Sequence, residues 1–287
     1  MTEEEPDSEA PNRPDLSVVI PAANEGPNLA LLLPRLNETL DPLGIAWEVL
    51  VVVRDEDEAT VAAARAGRAT LLRQETPGYG GALRTGFARA AGDWLLTMDA
   101  DLSHPPVVAA NLWRARHSAA VLIASRYVRG GAARMPLGRL LLSRLLNAVF
   151  ATALGLPVKD LSSGFRLYRR EVVAETAAAT TATATNFAIL QELLVHAAAT
   201  GWSIAEIPFA YAPRRHGSSN ARVVAFGLEY AASLRRLRAL RAAPRRAADA
   251  RRDCGDSGEA EGGGCPAPAT VRPVYPPLSG EGPCRRR

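Results

Sequence analysis

Asp93-Trp94-Leu95-Leu96-Thr97-Met98-Asp99-Ala100-Asp101 is an apolar run that stops on two carboxylates separated by one small residue. A short apolar run bounded by turn formers reads as a buried strand. Comparable runs lie at Leu16 to Ile20, Trp47 to Val53 and Ala69 to Arg73 upstream, and at Ala120 to Ser125 downstream. Helical patterns separate them. Leu29, Leu32, Leu33, Leu36 and Leu40 recur at helical spacing around Asn28 to Thr39, and Gly81 to Ala91 and Pro106 to His117 repeat the alternation. Strand, helix, strand in succession implies parallel pairing through right-handed crossovers. The predicted class is α/β, with a mainly parallel central sheet flanked by helices. Ligands of such sheets bind beyond the carboxyl ends of the strands, so the loops after Ile20, Val53 and Met98 are expected to face one crevice.

Further along, Arg134 to Leu156 reads as a long apolar helix interrupted by Arg139, Arg144 and Asn147, hence amphipathic or interfacial. A turn-rich segment from Pro157 to Gly164 leads to a strand at Phe165 to Tyr168. A helix at Phe187 to Ala199 and a strand at Ser203 to Tyr211 follow. The last helix, Val223 to about Leu240, places Val223, Phe226, Tyr230, Leu234 and Leu237 on one face and Arg235, Arg236 and Arg238 elsewhere. The Thr-rich run Ala177 to Thr185 reads as a loop. Residues 1–15 are acidic and Pro-rich and residues 243–287 are Arg-, Gly- and Pro-rich, so both are expected to be disordered tails around one domain at 16–242.

The net charge of +4 and pI near 9.2 reflect a local basic excess between Arg222 and Arg252. No aromatic residues alternate with those arginines, which argues against nucleic acid and for phosphate or an anionic membrane surface. Cys254, Cys265 and Cys284 all lie in the tail with no histidine nearby, so neither a zinc site nor a disulfide framework is indicated. The acidic start is unlike a secretory leader, and no uninterrupted apolar stretch reaches spanning length. The expected location is cytoplasmic, at the periphery of the cytoplasmic membrane face.

Asp99 and Asp101 can share a divalent cation, because hard oxygen ligands suit Mg²⁺ or Mn²⁺ and a ligand's phosphates complete the shell. The structural alternative has Asp101 capping the next helix and Asp99 merely ending a strand. Pro21, Ala22, Ala23, Asn24 and Glu25 follow the first strand, where Glu25 could meet a base or ribose, or pair with Asn24 as a helix cap. Asp55 stands at the same rim, in an acidic loop that could equally be a solvated turn. Gly78, Gly80 and Gly81 precede a helix whose first amides could meet phosphate. Arg84 and Arg126 lie near the rim as phosphate partners or surface arginines. Within Asp160 to Tyr168, pairing of Asp160 with Arg166 is the structural alternative to a ligand role. Arg214 to Ser219 groups cations with flexible residues, as a lid over a polyanion or a charged loop would.

In order, SVVIPAANE (17–25), Gly78 to Gly92, MDADLSHP (98–105), ASRY (124–127), DLSSGFRLY (160–168) and RRHGSS (214–219) resemble the dolichol-phosphate mannose synthase branch of the family 2 glycosyltransferases. The resemblance covers nearly all of residues 16–240. It implies a GT-A fold and inverting transfer of a hexose, mannose from GDP-mannose, from a nucleotide-diphosphate sugar to a polyprenyl phosphate. By the same resemblance Pro21, Glu25 and Asp55 hold the nucleoside, and Asp99 and Asp101 the metal and diphosphate. Arg126, Arg166, Arg215 and Ser218 line the donor and acceptor phosphates, and Gly80 and Arg84 fall within the matched glycine segment. Ala23, Arg54 and Ser103 depart from the family pattern, at an aromatic position, a paired-acid position and a third metal-ligand position.

A hydroxyl acceptor needs a general base, whereas a phosphate acceptor is ionised near neutral pH and needs cationic positioning. The rim arginines outnumber the candidate bases Asp160 and Glu192, which favours a polyprenyl phosphate or other lipid-linked acceptor over an alcohol. Such an acceptor requires contact with a membrane surface, either through the amphipathic helices or through a membrane-embedded partner protein. A nucleotidyltransferase is less favoured, because Pro21 to Glu25 is not a glycine-rich loop with a basic residue. A catalytically weak homologue that binds sugar nucleotide or lipid remains the other alternative.

Overall fold

The computed structural model describes residues 13–54, 58–179, 188–211 and 223–242, with side chains of the last segment from Ser233 onward. Asp55, Arg215 and Ser218, and both expected tails apart from Arg13 to Asp15, lie outside the described residues. The first half alternates as read: β1 (Leu16–Ala22), α1 (Gly26–Leu40), β2 (Trp47–Val53), α2 (Glu58–Ala66), β3 (Thr70–Arg73), α3 (Tyr79–Arg89), β4 (Trp94–Thr97), α4 (Pro106–Arg114) and β5 (Val121–Ser125). A short β6 (Ala132–Ala133) and α5 (Leu137–Leu154) follow. The chain continues through β7 (Arg166–Arg169), α6 (Arg170–Ala179), α7 (Ala188–Ala199), β8 (Ile204–Pro208), β9 (Ala210–Tyr211) and α8 (Val223–Ala242).

Seven strands form one sheet in the order β3-β2-β1-β4-β7-β5-β8, and β6 pairs with β9 in a small second sheet. Every pairing in the large sheet is parallel except those of β7, which lies antiparallel between β4 and β5. The expectation of a mainly parallel sheet holds, with this one strand reversed. Period-2 alternation assigns the two layers. Val18, Ile20, Val51 and Val53 join Leu29, Leu32, Leu36 and Leu112 in one core, whereas Val19, Leu50 and Val52 join Leu83, Leu190 and Leu194 in the other.

This topology concentrates the loops. Because β1, β2, β3, β4, β5 and β8 run the same way, their carboxyl ends share one edge of the sheet. β7 runs oppositely, so its amino end, and the 160–165 turn feeding it, meets that same edge. The Thr97 hydroxyl donates to the Gly164 carbonyl at 2.7 Å and ties the two together. The Thr-rich run was read as loop from Ala177, but α6 carries helix to Ala179, and 180–187 lie outside the described residues.

Helix α5 occupies the long apolar stretch, and its 18 residues, arginines included, are long and apolar enough to cross a membrane by length and composition. Its packing is one-sided, however. Asn147, Phe150, Ala151 and Leu154 are buried, while Leu137, Leu141, Leu145 and Val149 are 51–69% exposed at fourfold spacing. Arg238 and Arg241 of α8 donate to the Ala153 and Gly155 carbonyls at its end.

Candidate active site

The loop after β4 folds back on itself. Leu102 takes a left-handed φ of 64°, and the Ser103 amide donates to Asp101 Oδ1 at 3.0 Å. The reversal returns His104 to the start of the loop, where its Nδ1 accepts the Asp99 amide at 2.9 Å and its Nε2 lies 3.7 Å from Asp99 Oδ2. Helix α4 is preceded by Pro105 without a side-chain cap, so Asp101 is not the helix cap that the structural alternative required. The imidazole is buried, stacked on Phe165 at 4.6 Å with its rim against Phe209. Burial lowers its pKa despite the raising influence of Asp99 and Asp101. The neutral ring accepts at Nδ1 and therefore carries its proton on Nε2, facing the Asp99 carboxylate.

Around Asp99 the walls are close. A Cβ on Gly164 would lie 2.7 Å from the Tyr79 hydroxyl and 3.6 Å from Asp99 Oδ1, so only glycine leaves this contact unstrained. Gly164→Ala is expected to displace the partly buried Tyr79 ring, at a cost of about 1–3 kcal/mol typical of overpacking. Chemical denaturation and donor binding, measured together, check this. Tyr79 opens α3, and the preceding Gly78 adopts φ 88°, which a side chain would resist. Gly80 is buried in the first turn of that helix. Arg84, one turn on, is 3.5 Å from Thr76 Oγ1 and lies near enough to Glu192 to influence it.

At the end of β5, Arg126 is held by Asp160. Nε donates to Asp160 Oδ2 at 2.7 Å, Nη2 to Oδ1 at 2.6 Å, and the backbone amide to Oδ2 at 3.0 Å. Burial alone would raise the Asp160 carboxyl, but the charge and hydrogen bonds of Arg126 outweigh it and hold the group below its ordinary value. Burial likewise opposes the charge on Arg126, and Asp160 reverses that too. Tyr127 and Tyr211 flank the guanidinium at 5.0 and 5.7 Å. Burial raises the Tyr211 pKa, and the Asp101 carboxylate adds to the shift. Ser162 accepts from Arg126 Nη2 at 2.7 Å and from Asn147 of α5 at 3.1 Å. Tyr127 and Ser143 share a 2.7 Å hydroxyl contact, so α5 is joined to the rim twice.

Several sequence-derived roles change here. Arg166 is fully buried and donates to the Ser163, Leu190 and Leu161 carbonyls at 2.6–2.7 Å, so it braces the 160–165 turn and does not line a phosphate. Nor is it the partner of Asp160; that partner is Arg126. Asp160, with no exposed surface, is committed to Arg126 and is a poor general base, whereas Glu192 is buried and paired with Arg236, and its burial outweighs the arginines and raises its pKa. Glu25 precedes α1 without capping it; its carboxylate accepts from Asn28 at 2.5 Å, and Asn24 adopts a left-handed φ of 58°. Pro21 is the penultimate residue of β1, in register with Val52. His104, Tyr79, Gly164 and Tyr211 were not singled out from the sequence as ligand-facing residues. His104 stood within the quoted 98–105 segment, five residues after Asp99, and its return contact was the available signal.

Residues 17–176, which include this reversed loop and its two carboxylates, match the glycosyl transferase family 2 model. The chain belongs to glycosyl transferase family 2. It is 33% identical over 215 residues to a dolichol-phosphate mannosyltransferase of Pyrococcus furiosus, covering 71% of this chain and 58% of that protein. It is 32% identical over 214 residues to a polyprenol monophosphomannose synthase of Mycolicibacterium smegmatis, covering 70% and 79% respectively. The chain thus spans less than two thirds of the Pyrococcus relative. The GT-A fold of this family 2 member has a solved likeness in glucosyl-3-phosphoglycerate synthase of Mycobacterium tuberculosis, with a TM-score of 0.60 at 21% identity over 81% of this chain and 80% of that one. That structure holds Mn²⁺, UDP and phosphoglyceric acid; another of the same enzyme holds Mg²⁺ and UDP.

The donor chemistry of Asp99 and Asp101 fits a hard divalent cation. Among the described residues no cluster of three or more acidic, histidine or cysteine side chains is arranged to enclose one. A cation here would therefore be held jointly with water and the oxygens of a bound diphosphate, as Mg²⁺ commonly is.

Proposed function

We propose that this protein transfers a hexose, mannose from GDP-mannose, to a polyprenyl phosphate with inversion at the anomeric carbon. The observation that carries the reading is the pairing of Arg126 with Asp160 beside Asp99 and Asp101. The site offers ionic positioning, while Asp160 and Glu192 are tied up by arginines. An acceptor already ionised at neutral pH needs no base, so such a site suits a phosphate better than an alcohol. The names of the two sequence relatives support the same acceptor class and the same sugar.

On the donor side, Pro21, Glu25 and Asp55 would bracket the nucleoside, and the α3 amides at Gly80 would face the diphosphate. Asp99 and Asp101 would hold Mg²⁺ or Mn²⁺, which neutralises charge on the departing diphosphate. Arg126, fixed by Asp160 and flanked by Tyr127 and Tyr211, would orient the acceptor phosphate without cost at the moment of reaction. Arg84, Arg215 and Ser218 would add contacts to phosphate oxygens. A panel of GDP- and UDP-sugars, assayed for Mn²⁺-dependent transfer to polyprenyl phosphate, tests the reading. Transfer from GDP-mannose is expected; activity with none of the sugars would overturn it.

The acceptor is lipid-borne, and α5 supplies a means of reaching it. Its exposed leucine stripe lies beside the exposed Arg134, Arg139 and Arg144, the charge pattern that suits an anionic bilayer surface. The protein would act at the cytoplasmic membrane face, with or without a membrane-embedded partner. Leu141→Glu with Leu145→Glu is expected to leave unfolding free energy within about 0.5 kcal/mol of the parent, since both side chains are already exposed. Co-sedimentation with anionic vesicles is expected to fall at least several-fold in the same variant.

A further inference from the structure

We propose that His104 is a positioning residue for Asp99, fixing the backbone and the carboxylate of that residue through the two nitrogens of one buried imidazole. The proposal rests on the reading of Asp99 as a metal-binding carboxylate. Three features carry it. The first is the polarity of the ring: Nδ1 accepts from the Asp99 amide at 2.9 Å, which leaves Nε2 as the ring's donor, and Nε2 lies 3.7 Å from Asp99 Oδ2, an electrostatic contact longer than a hydrogen bond. The second is the immobility of the ring, which lies parallel to Phe165 at an interplanar angle of 15° and perpendicular, at 77°, to Phe209. The third is the loop itself. Leu102 in its left-handed conformation and the Ser103 amide on Asp101 turn the chain so that residue 104 comes back to residue 99.

A carboxylate at the end of a strand would otherwise sample several rotamers, and a metal ligand works best when a neighbouring donor holds it in one. Phe165 also begins the segment entering β7, whose reversed insertion places its ring under His104. The strand that interrupts the parallel sheet therefore supplies the platform for the positioning group.

The test is Mn²⁺ binding, followed by the electron paramagnetic resonance of the free ion in the presence of GDP and, separately, UDP. Wild type, Asp99→Asn, His104→Phe, His104→Asn and Asp99→Asn/His104→Phe are compared. Phenylalanine keeps the stacking and removes both ring nitrogens; asparagine keeps an acceptor near Nδ1 and removes the Nε2 donor. His104→Phe is expected to weaken Mn²⁺ binding roughly tenfold or more, the scale for outer-shell partners of metal ligands. His104→Asn is expected to recover part of that loss. In the Asp99→Asn background, His104→Phe should change affinity less than about twofold, because the carboxylate that His104 positions is gone. Should His104→Phe fail to fold by circular dichroism, His104→Asn against wild type decides: a weaker Mn²⁺ affinity supports positioning and an unchanged one overturns it. Unchanged affinity in both His104 variants while Asp99→Asn loses Mn²⁺ overturns the proposal alone, as does full additivity with Asp99→Asn. Absence of Mn²⁺ binding by the wild type overturns the metal reading and this proposal with it.

Discussion

Asp99→Asn is expected to lower metal-dependent turnover by at least about 100-fold, the scale on which a preorganised group facing developing charge acts. The substitution is nearly isosteric. It removes the charge that a shared cation needs and keeps a side chain that His104 can still face at the position of Oδ2. The Asp99 amide keeps its acceptor on Nδ1, so the loop should retain its shape. Unfolding free energy is expected to stay within about 1 kcal/mol of the parent, in keeping with a side chain that is one third exposed. Steady-state rates at saturating donor and Mn²⁺, set beside a denaturant titration, separate the two effects. A variant that folds and turns over as wild type would show that Asp99 is a strand end and no more.

The Arg126 and Asp160 pair is expected to give the largest stability effect. Either Arg126→Ala or Asp160→Ala leaves one buried charge without its partner, which costs about 3–5 kcal/mol. The double change Arg126→Met/Asp160→Leu should be less damaging than either single change, because no orphan charge remains. Its activity should nonetheless be lost, since the cation proposed to orient the acceptor is gone. The sign with pH follows from Asp160, whose carboxyl is held below its ordinary value in the fold. The unfolded group titrates near about 3.9, so the pair's contribution is fully present above that pH. It is lost as pH falls through the lower folded value. Denaturation midpoints measured from pH 7 down to acid should therefore fall more steeply in wild type than in the double variant.

Which parts of this arrangement were legible in the sequence follows from the range of the interactions. The alternation from Leu16 to Ser125 is a local, periodic signal, and it read correctly. So did the turn-rich reading of 157–164 and the strand after it. The direction of that strand did not, because Phe165 to Tyr168 has the same side-chain pattern whether it runs up or down the sheet. Its reversal matters, for it brings Gly164 and Phe165 against Asp99 and His104.

The partner of Asp160 was misread for a related reason. Arg166 is six residues away and Arg126 thirty-four, yet the sheet places β5 beside β7 and the nearer arginine turns inward onto three carbonyls. Sequence proximity favoured the wrong cation, and nothing in local composition distinguishes a guanidinium that satisfies carbonyls from one that meets phosphate. The helix-cap alternatives for Asp101 and for Asn24 with Glu25 were equally local guesses, and neither α4 nor α1 carries a side-chain cap. Glycine at 164 shows the same limit, since its requirement arises from Tyr79, far away in the chain.

The most direct test of the account is an acceptor exchange. Purified protein is given GDP-mannose labelled in the sugar, with Mn²⁺, in anionic vesicles containing either polyprenyl phosphate or the corresponding polyprenol, with a soluble alcohol as a third acceptor. The expected result is label in the lipid fraction with the phosphate alone, lost on chelation of the metal. Equal transfer to polyprenol or to the soluble alcohol would contradict the claim that this site works by positioning an acceptor that is already ionised.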